Sequence, residues 1–401
     1  MSKVFELIEA EKNRQSNTVE LIASENFVSE NVLRAVGSCF TNKYAEGYPG
    51  HRYYGGCKHC DELETYCQDK WKEAFQTHYH VNVQPHSGTQ ANMAVYSALL
   101  KPGDYVLSMK LENGGHLSHF APISMSGKLY NGVFYGLDKH GYIDYSDLRE
   151  KILTYKPKLI LAGASAYSRE IDFGKIYHII ERCKYQMVDY DPFYMADIAH
   201  IAGLVVAGEH QSPFGFADVI TTTTHKTLRG TRGGLIFCRQ HLAKKIDSAV
   251  FPGNQGGPLM HVIAGKAVAA EEACTKEFGI YINKVVSNTK AMCNELKNLG
   301  YEIVSGGTDN HLFMIDFSRT HPTITGQMVQ DELERHGITL NKNCVPGDKR
   351  GPNETSGVRI GCAAMTTRGY NAEKFRAIAR LIHVYISGME GAENGGFSKT
   401  T

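Results

Sequence analysis

The stretch DVITTTTHKTLRGTRGGLIF, residues 218–237, predicts a buried strand that ends near a single lysine. Its apolar start and four threonines favour extended backbone, because β-branched side chains suit a pleated sheet. Gly230, Gly233 and Gly234 allow a close backbone approach, which we interpret as a loop that lies against a ligand. Lys226 is either a solvated charge or a functional amine. A buried amine loses proton affinity and attacks carbonyl carbons, so Lys226 is a candidate for a Schiff base.

The composition is that of a folded globular protein. The 401 residues are 42% hydrophobic and 21% charged, and the formal net charge is +1. Interspersed charges of this kind argue against nucleic acid or an anionic membrane as the main partner. The N-terminus lacks the apolar segment of a secretory signal, and no run approaches the roughly 18 apolar residues of a membrane span. We therefore expect a cytoplasmic protein.

Ten cysteines raise the question of a metal or redox site. In a large chain without a secretory signal, cysteines are more often reduced and buried. Cys57 and Cys60 form a C-x-x-C pair, which can bind zinc or carry out redox chemistry. A second ligand pair at regular spacing is missing, so no metal is expected.

Short apolar runs alternate with segments of helical periodicity through the first two thirds of the chain. This order predicts an α/β fold with an open, mostly parallel sheet covered by helices. After about Phe278 the pattern changes to long amphipathic helices and two strands, HLFMIDF and GVRIGC, which predict a smaller α+β domain. The predicted division is an N-terminal arm over 1–20, a large domain over 21–278, a small C-terminal domain over 279–387 and a flexible tail over 388–401.

Three residues in VQPHSGTQAN indicate a phosphate site. Ser87, Gly88 and Thr89 lie where a turn enters a helix, so free backbone N–H groups and two hydroxyls can converge on an anion. The alternative is an N-cap, in which Ser87 or Thr89 only satisfies helix donors. The lysine of a Walker loop is missing.

Asp197 follows an apolar strand in YMADIAHIAG, with His200 three residues later. A carboxylate there either makes a structural hydrogen bond or holds a cationic partner. Ligands of open α/β sheets bind at the carboxyl ends of the strands, so Asp197 and Lys226 can share one edge with the phosphate turn. Together they suit pyridoxal phosphate: the lysine holds the aldehyde, the aspartate keeps the pyridine nitrogen protonated and the helix takes the phosphate.

Two further residues complete this interpretation. His116 in LENGGHLSHF offers a flat ring to stack on the pyridine; the alternative is a histidine of a surface loop. Arg359 in TSGVRIG offers a two-pronged donor for the carboxylate of an amino-acid substrate; the alternative is a surface ion pair.

The chain resembles the serine hydroxymethyltransferases, which are fold-type-I pyridoxal-phosphate enzymes of the aspartate-aminotransferase-like class. The resemblance extends from LIASENF at Leu21 to the last helix, and it rests on the strings TNKYAEGYPGHRYYGGC, VQPHSGTQAN, TTTTHKTLRG, FPGNQGGPLMHVIAGKA and VSGGTDNHL. It implies reversible transfer of the serine hydroxymethyl carbon to tetrahydrofolate, giving glycine and 5,10-methylenetetrahydrofolate. It also implies a homodimer, possibly a tetramer, with active sites shared between subunits.

The resemblance also implies roles for individual residues. Cofactor contacts are implied for Ser87, Gly88, Thr89, His116, Ser165, Asp197, His200, Thr223, Lys226, Tyr44 and Gly257, with Tyr44, Glu46, Tyr54 and Gly257 reaching the neighbouring subunit's cofactor. Catalytic roles are implied for Lys226, Glu46, His116, Asp197, His200 and Tyr54, with Glu46 as the proton carrier. The substrate contacts are Ser24, Tyr54, Glu46 and Arg359. The folate contacts are Leu111, Gly115, Leu117, Asn343, Tyr53 and Phe251.

The sequence departs from the family pattern at several places. The segment ERCKYQMVDYDPFYMADIAH is longer than expected, and its Asp189 and Asp191 are not the cofactor partner. Phe120 stands where a glycine is usual, near the expected folate entrance; Asn353 and Glu354 replace more apolar residues, and Thr231 replaces a proline. The competing functions are a folate-independent threonine or β-hydroxy amino acid aldolase of the same fold, and a regulatory protein that has lost catalysis.

Overall fold

The computed structural model describes residues 2–394 of the chain. Contacts between Cα atoms divide it into two compact units. One unit is Asn26–Asn283, and the other combines the residues up to Glu25 with those from Lys284 onward. The boundary predicted after Phe278 falls inside a long helix, Lys276–Asn298.

The helices and strands alternate as follows. Within the described residues, the α-helices are α1 (Lys3–Asn17), α2 (Glu30–Val36), α3 (Lys58–Ala74), α4 (Gly88–Leu99), α5 (Met125–Leu129), α6 (Tyr145–Tyr155), α7 (Phe173–Gln186), α8 (Ala202–Val206), α9 (Ala243–Ser248), α10 (Met260–Ala273), α11 (Lys276–Asn298), α12 (Gly326–Arg335), α13 (Ala363–Thr367) and α14 (Ala372–Asn394). The strands are β1 (Val19–Glu20), β2 (Gly47–Tyr48), β3 (His51–Arg52), β4 (His80–Asn82), β5 (Tyr105–Met109), β6 (Asn131–Tyr135), β7 (Leu159–Gly163), β8 (Phe193–Asp197), β9 (Val219–Thr223), β10 (Gly234–Cys238), β11 (Glu302–Ile303), β12 (Leu312–Asp316), β13 (Ile338–Thr339), β14 (Asn341–Asn343) and β15 (Gly357–Gly361).

The unit Asn26–Asn283 is built around a seven-stranded sheet, in the order β4-β10-β9-β8-β7-β5-β6. From β9 to β6 neighbouring strands are parallel, whereas β10 is antiparallel to both β9 and β4. Every residue of β7, β9 and β10 is buried, as expected of a sheet covered on both faces. The prediction of an α/β fold with a mostly parallel sheet is confirmed.

The core of this unit joins neighbouring strands to helix α4. Val106, Leu161, Met195, Val219 and Ile236, from five different strands, belong to one buried hydrophobic cluster that also includes residues of α4. Burying a side chain of this size stabilises the fold by about 1.5–3 kcal/mol. The cluster therefore fixes the N-terminal end of α4 relative to the strand ends.

The second unit contains an antiparallel sheet in the order β11-β12-β15-β14 and a parallel pair, β1-β13. Helix α1 has no buried residue. Helix α14 continues to Asn394, although a flexible tail was predicted from residue 388. Residues 395–401 of that predicted tail lie outside the described residues.

Helices capable of crossing a membrane are absent from the described part of the chain, since none is both long and apolar enough. All ten cysteines are free thiols, and both Cys57 and Cys60 are buried.

Candidate cofactor site

A cleft of about 150 Å³ opens at the carboxyl edge of the parallel strands. It is lined by Ser87, Gly88, Thr89, Asn92, His116, His119, Ala164, Ser165, Asp197, Ala199, His200, Thr223, His225, Lys226 and Arg232. Nine of the residues predicted from sequence to contact the cofactor are therefore brought together by the fold. They come from the N-terminus of α4, from the ends of β8 and β9 and from the loops that follow the strands.

Lys226 enters the cleft three residues beyond the end of β9. Its Nζ donates a hydrogen bond to Oγ1 of Thr223 at 2.9 Å, and its backbone oxygen accepts one from Nδ2 of Asn26 at 2.8 Å. The turn closes with a bond from the Gly230 N–H to the Thr224 oxygen at 2.7 Å. The amine is thus held at the strand end, where a neutral hydroxyl accepts one of its hydrogen bonds.

Asp197 ends β8 and is only 8% exposed. Its Oδ2 accepts hydrogen bonds from Nε2 of His119 at 2.8 Å and from Nδ2 of Asn92 at 2.9 Å, and its Oδ1 accepts one from the Ala199 N–H at 3.0 Å. Burial by itself raises the pKa of Asp197, but the bonds from His119 and Asn92 and the histidine charge outweigh it and hold the pKa well below its ordinary value. The cleft therefore contains a permanent anion, the form needed beside a protonated pyridine nitrogen.

His116 has a defined hydrogen-bond pattern. The Ser118 N–H donates to Nδ1 of His116 at 3.1 Å, so this nitrogen is an acceptor. The Ser118 hydroxyl lies 2.8 Å from the same nitrogen and itself accepts from Nδ2 of Asn92 at 2.9 Å. A neutral His116 therefore carries its proton on Nε2. Asn92 links the partners of the two histidine rings, because its side chain bonds both Ser118, the partner of His116, and Asp197, the partner of His119.

The turn before α4 is an N-cap that also presents amide donors to the cleft. Oγ of Ser87 accepts from the Gln90 N–H at 3.2 Å, which is the capping arrangement. The N–H groups of Gly88 and Thr89 have no acceptor within the helix, as for any first turn. A Cβ on Gly88 would lie 2.7 Å from Cγ2 of Thr223, closer than carbon atoms pack, so glycine is needed here. Free amide donors, a hydroxyl and a glycine cradle fit a phosphate group.

Two cationic side chains, Lys226 and Arg232, line the same cleft. Burial, followed by the charges of Lys226 and Arg232, lowers the pKa of His225 to about 3. His225 is therefore neutral at physiological pH, while the two neighbouring cations remain. The cleft thus contains both an anionic side chain and cationic side chains, which suit a ligand that carries a cationic ring and an anionic group, as pyridoxal phosphate does.

Four other predicted residues form a separate cluster. Oη of Tyr44 donates to Oε1 of Glu46 at 3.3 Å, and the rings of Tyr44 and Tyr54 meet edge to face at 5.4 Å. Gly257 packs on the Tyr44 ring, since a Cβ at this glycine would lie 3.2 Å from it. The negative charge of Glu46 raises the pKa of the Tyr54 hydroxyl. Tyr44 and Tyr54 are 56% and 50% exposed. None of the four lines the cleft of their own chain.

The predicted folate contacts of this unit lie mostly at the surface. Tyr53, Leu111 and Leu117 are exposed. The Tyr53 ring packs against Phe251 at 5.7 Å, and Gly115 precedes His116 with its oxygen bound by the Ser165 hydroxyl at 2.8 Å. Exposed apolar side chains of this size are available to a flat aromatic ligand.

Arg359, Ser24 and Asn343 belong to the other unit. Arg359 lies in the middle of β15, opposite Met314 of β12 and Asn341 of β14, and Nε of Arg359 donates to Oδ1 of Asn341 at 3.2 Å. It is 9% exposed, and burial lowers its pKa to about 10, so it stays a cation at neutral pH. Arg359 is therefore a buried side chain and not a surface one.

Ser24 and Asn343 flank the same strand as Arg359. The Gly361 N–H donates to the Leu21 oxygen at 2.8 Å, which brings the segment of Ser24 alongside β15. Asn343 pairs with Gly357 across β14 and β15. All three predicted polar residues of this unit thus lie on or beside β15.

Four polar or charged residues of the cleft were missed by the sequence analysis: Asn92, His119, His225 and Arg232. Each lies inside a stretch that had been singled out. Asn92 is one helical turn beyond Gly88, and His119 is three residues after His116, so helical and turn spacing could have indicated both.

Packing explains two further features of the sequence. The glycines of the lysine loop lie against protein: a Cβ would strike Ala269 at Gly230, the Lys266 side chain at Gly233 and the Ser87 oxygen at Gly234. Phe120, which was expected near the folate entrance, is not exposed at the surface.

Phe120 is 1% exposed, with its ring 4.6 Å from that of Tyr96. Its φ of 67° explains why a glycine suits this position.

The segment before Asp197 is tied down at the surface. Lys184 forms an ion pair with Asp191 at 2.8 Å, and Oη of Tyr190 donates to the Pro157 oxygen at 2.9 Å. Neither Asp189 nor Asp191 lines the cleft, as predicted.

A comparison with protein families agrees with this geometry. The family model described as serine hydroxymethyltransferase matches residues 1–382 of the 401-residue chain. The match includes both units and every residue of the cleft.

Proposed function

Since the chain belongs to the serine hydroxymethyltransferase family and is a pyridoxal-phosphate-dependent enzyme that uses tetrahydrofolate as co-substrate, we propose that the cleft around Lys226 and Asp197 is its cofactor site. The reaction moves the hydroxymethyl carbon of serine to tetrahydrofolate and leaves glycine. The observation that supports this assignment most strongly is the joint presence of Lys226, Asp197 and the free amides of Gly88 and Thr89 in one cleft.

Lys226 would hold the cofactor aldehyde, and Asp197 would hold the ring nitrogen. The chemistry that pyridoxal phosphate supplies when bound is an electron sink for the α-carbon of the amino acid. Asp197 maintains that capacity, because its carboxylate is kept ionised by His119 and Asn92 and favours a protonated ring nitrogen. Thr223 orients the Lys226 amine through the 2.9 Å bond.

Ser87, Gly88 and Thr89 would bind the phosphate, and His116 would cover one face of the ring. The Ser118 hydroxyl bound to Nδ1 fixes the orientation of the His116 ring and keeps its proton on Nε2. Ser165 and His200 line the same cleft and are proposed to approach the phenolic oxygen of the cofactor or the substrate.

We propose that the enzyme is a homodimer in which Tyr44, Glu46, Tyr54 and Gly257 complete the partner's active site. These residues form one cluster, two of its tyrosines are half exposed, and none lines the cleft of its own chain. Glu46 is the proposed proton carrier for the serine hydroxyl and the folate step. Whether two dimers associate into a tetramer is a further proposal that the oligomeric mass would test.

The amino-acid carboxylate is proposed to bind Arg359, with Ser24 beside it. A buried, charged guanidinium is a planar donor that suits a carboxylate, and the bond from its Nε to Asn341 orients it. Folate is proposed to contact Leu111, Gly115, Leu117, Tyr53, Phe251 and Asn343. A cytoplasmic location is also proposed, since the free thiols of all ten cysteines suit a reducing compartment.

The test uses purified enzyme, pyridoxal phosphate and serine, with and without tetrahydrofolate. We expect a visible absorbance band from cofactor bound to Lys226, and glycine formation that depends on tetrahydrofolate. Lys226→Arg keeps the charge but should lose the band and the activity, whereas the exposed-site control Lys244→Arg should retain both. Serine cleavage that ignores tetrahydrofolate would indicate the aldolase, and an unchanged band in Lys226→Arg would refute the site.

A further inference from the structure

Lys266 is a completely buried lysine in the middle of α10. Its Nζ donates to the backbone oxygens of Val83 at 2.7 Å, Pro85 at 2.9 Å and Gly234 at 2.9 Å. An ammonium has three donors, so every one is used. Because a buried charge is costly without such partners, this arrangement indicates a specific task.

The three carbonyls belong to the two segments that build the cofactor cleft. Val83 and Pro85 lead directly into Ser87 and the phosphate turn. Gly234 begins β10, where it pairs with Thr223, the residue that holds the Lys226 amine. The Lys266 ammonium therefore lies where the segment before the phosphate turn meets the strand beside the lysine loop.

Backbone packing at this junction is tight. The Gly234 N–H donates to the Pro85 oxygen at 3.0 Å, so this oxygen accepts from both Gly234 and Lys266. A Cβ on Gly234 would come within 2.5 Å of the Ser87 oxygen. Small displacements of the segment 83–87 would thus move the N-terminus of α4.

We propose that Lys266 is a positioning residue for the phosphate of the cofactor: its ammonium fixes the segment 83–87 against β10 and so aims the N–H groups of Gly88 and Thr89 at the phosphate. This inference rests on the function proposed for the cleft. Lys266 does not line the cleft, and it acts only through the backbone that it binds.

The charge of Lys266 is part of this role. Burial lowers its pKa to about 8, while the charge of Glu64 favours the protonated form. His86, which lies between Pro85 and the phosphate turn, has its pKa lowered by burial and by the Lys266 charge. At neutral pH the ammonium is thus the cation at this junction, and deprotonation removes one of its three donors.

The experiment compares the affinities for pyridoxal phosphate and for pyridoxal, which lacks the phosphate, in the wild-type enzyme and in Lys266→Met. We expect binding of pyridoxal phosphate to weaken by about tenfold or more, while binding of pyridoxal changes by less than about twofold. Ile263→Ala is the control, because it removes buried packing from the same helix without touching the three carbonyls. It should affect the two ligands equally.

Equal weakening of both ligands in Lys266→Met would overturn the proposal and leave Lys266 with a purely structural role. Failure of the wild-type enzyme to bind either ligand at Lys226 would instead refute the proposed function. If Lys266→Met does not fold, the wild-type enzyme decides: the preference for pyridoxal phosphate over pyridoxal should fall several-fold between pH 7 and about 9 as Lys266 loses its proton. A preference that stays constant across this range would overturn the proposal.

Discussion

Gly88 offers a direct test of the cofactor site. A methyl group added at Gly88 should weaken cofactor binding, and removal of the Thr223 methyl group that it strikes should restore binding. In Gly88→Ala the new Cβ would lie 2.7 Å from Cγ2 of Thr223. Carbon atoms in good contact are about 3.5–4.0 Å apart, so one of the two residues must move by roughly 1 Å. Thr223 cannot rotate freely, since its Oγ1 accepts the hydrogen bond from Nζ of Lys226.

Overpacking of this kind costs about 1–3 kcal/mol. If the cost falls on the cofactor-binding geometry, the affinity for pyridoxal phosphate drops by about 5–150-fold, at 1.4 kcal/mol per factor of ten. Thr223→Ser removes Cγ2 but keeps the hydroxyl, so the double variant Gly88→Ala/Thr223→Ser should recover most of the lost affinity. Thr223→Ser alone should bind nearly as the wild type does.

The assay is titration of the four apoenzymes with pyridoxal phosphate, followed by the visible absorbance of the bound cofactor. The double-mutant cycle should give a coupling free energy of about 1–3 kcal/mol between positions 88 and 223. Wild-type affinity in Gly88→Ala would refute the packing at this turn. If the double variant binds pyridoxal phosphate no more tightly than Gly88→Ala does, the new methyl group acts by blocking the cofactor directly and not by striking Thr223.

Three further predictions concern the carboxylates. Burial raises the pKa of Glu20 to about 7, so the folded protein keeps a proton that the unfolded chain releases above pH 4.5, and stability should fall as pH rises from 4.5 to 7. Glu20→Gln should abolish this slope in urea unfolding and raise the free energy of unfolding at pH 7.5 by up to about 3 kcal/mol; the same slope in the variant would contradict the assignment. His119→Phe removes a hydrogen bond to Asp197 and should destabilise the protein by about 1.5–3 kcal/mol at neutral pH. Because the Asp197 pKa is held low, its contribution is lost as pH falls, and that loss should begin at a higher pH in His119→Phe than in the wild type; identical acid unfolding curves would argue against it. Finally, equal co-expression of Lys226→Ala and Glu46→Gln should restore about a quarter of the wild-type activity, because half of the dimers are hybrids with one intact site each, whereas no recovery would refute active sites shared between subunits.

The strands that present the cofactor site could be predicted because each is specified locally. Apolar and β-branched runs produced β7, β8 and β9, and their parallel order follows from the alternation of strands and helices. The placement of Asp197 and Lys226 at one edge of the sheet is a consequence of this order. The end of α14 could not be predicted in the same way, since Gly388 lies inside the helix, where glycine ordinarily favours an end.

Spacing could have indicated that Asn92 and His119 lie near the cleft, but their hydrogen bonds to Asp197 could not be predicted, because the donors come from distant parts of the chain. Asn92 lies 105 residues before Asp197 and His119 lies 78 residues before it, and neither has a local signature of a carboxylate partner. Both residues reach Asp197 only once α4, which carries Asn92, and the loop after β5, which carries His119, have packed against the end of β8. The sequence therefore identifies which groups can carry out the chemistry, whereas the protonation state that makes Asp197 useful is set by packing. A variant that preserves all the motif residues but displaces α4 should raise the pKa of Asp197, because the carboxylate loses the hydrogen bond from Asn92 while it keeps the one from His119.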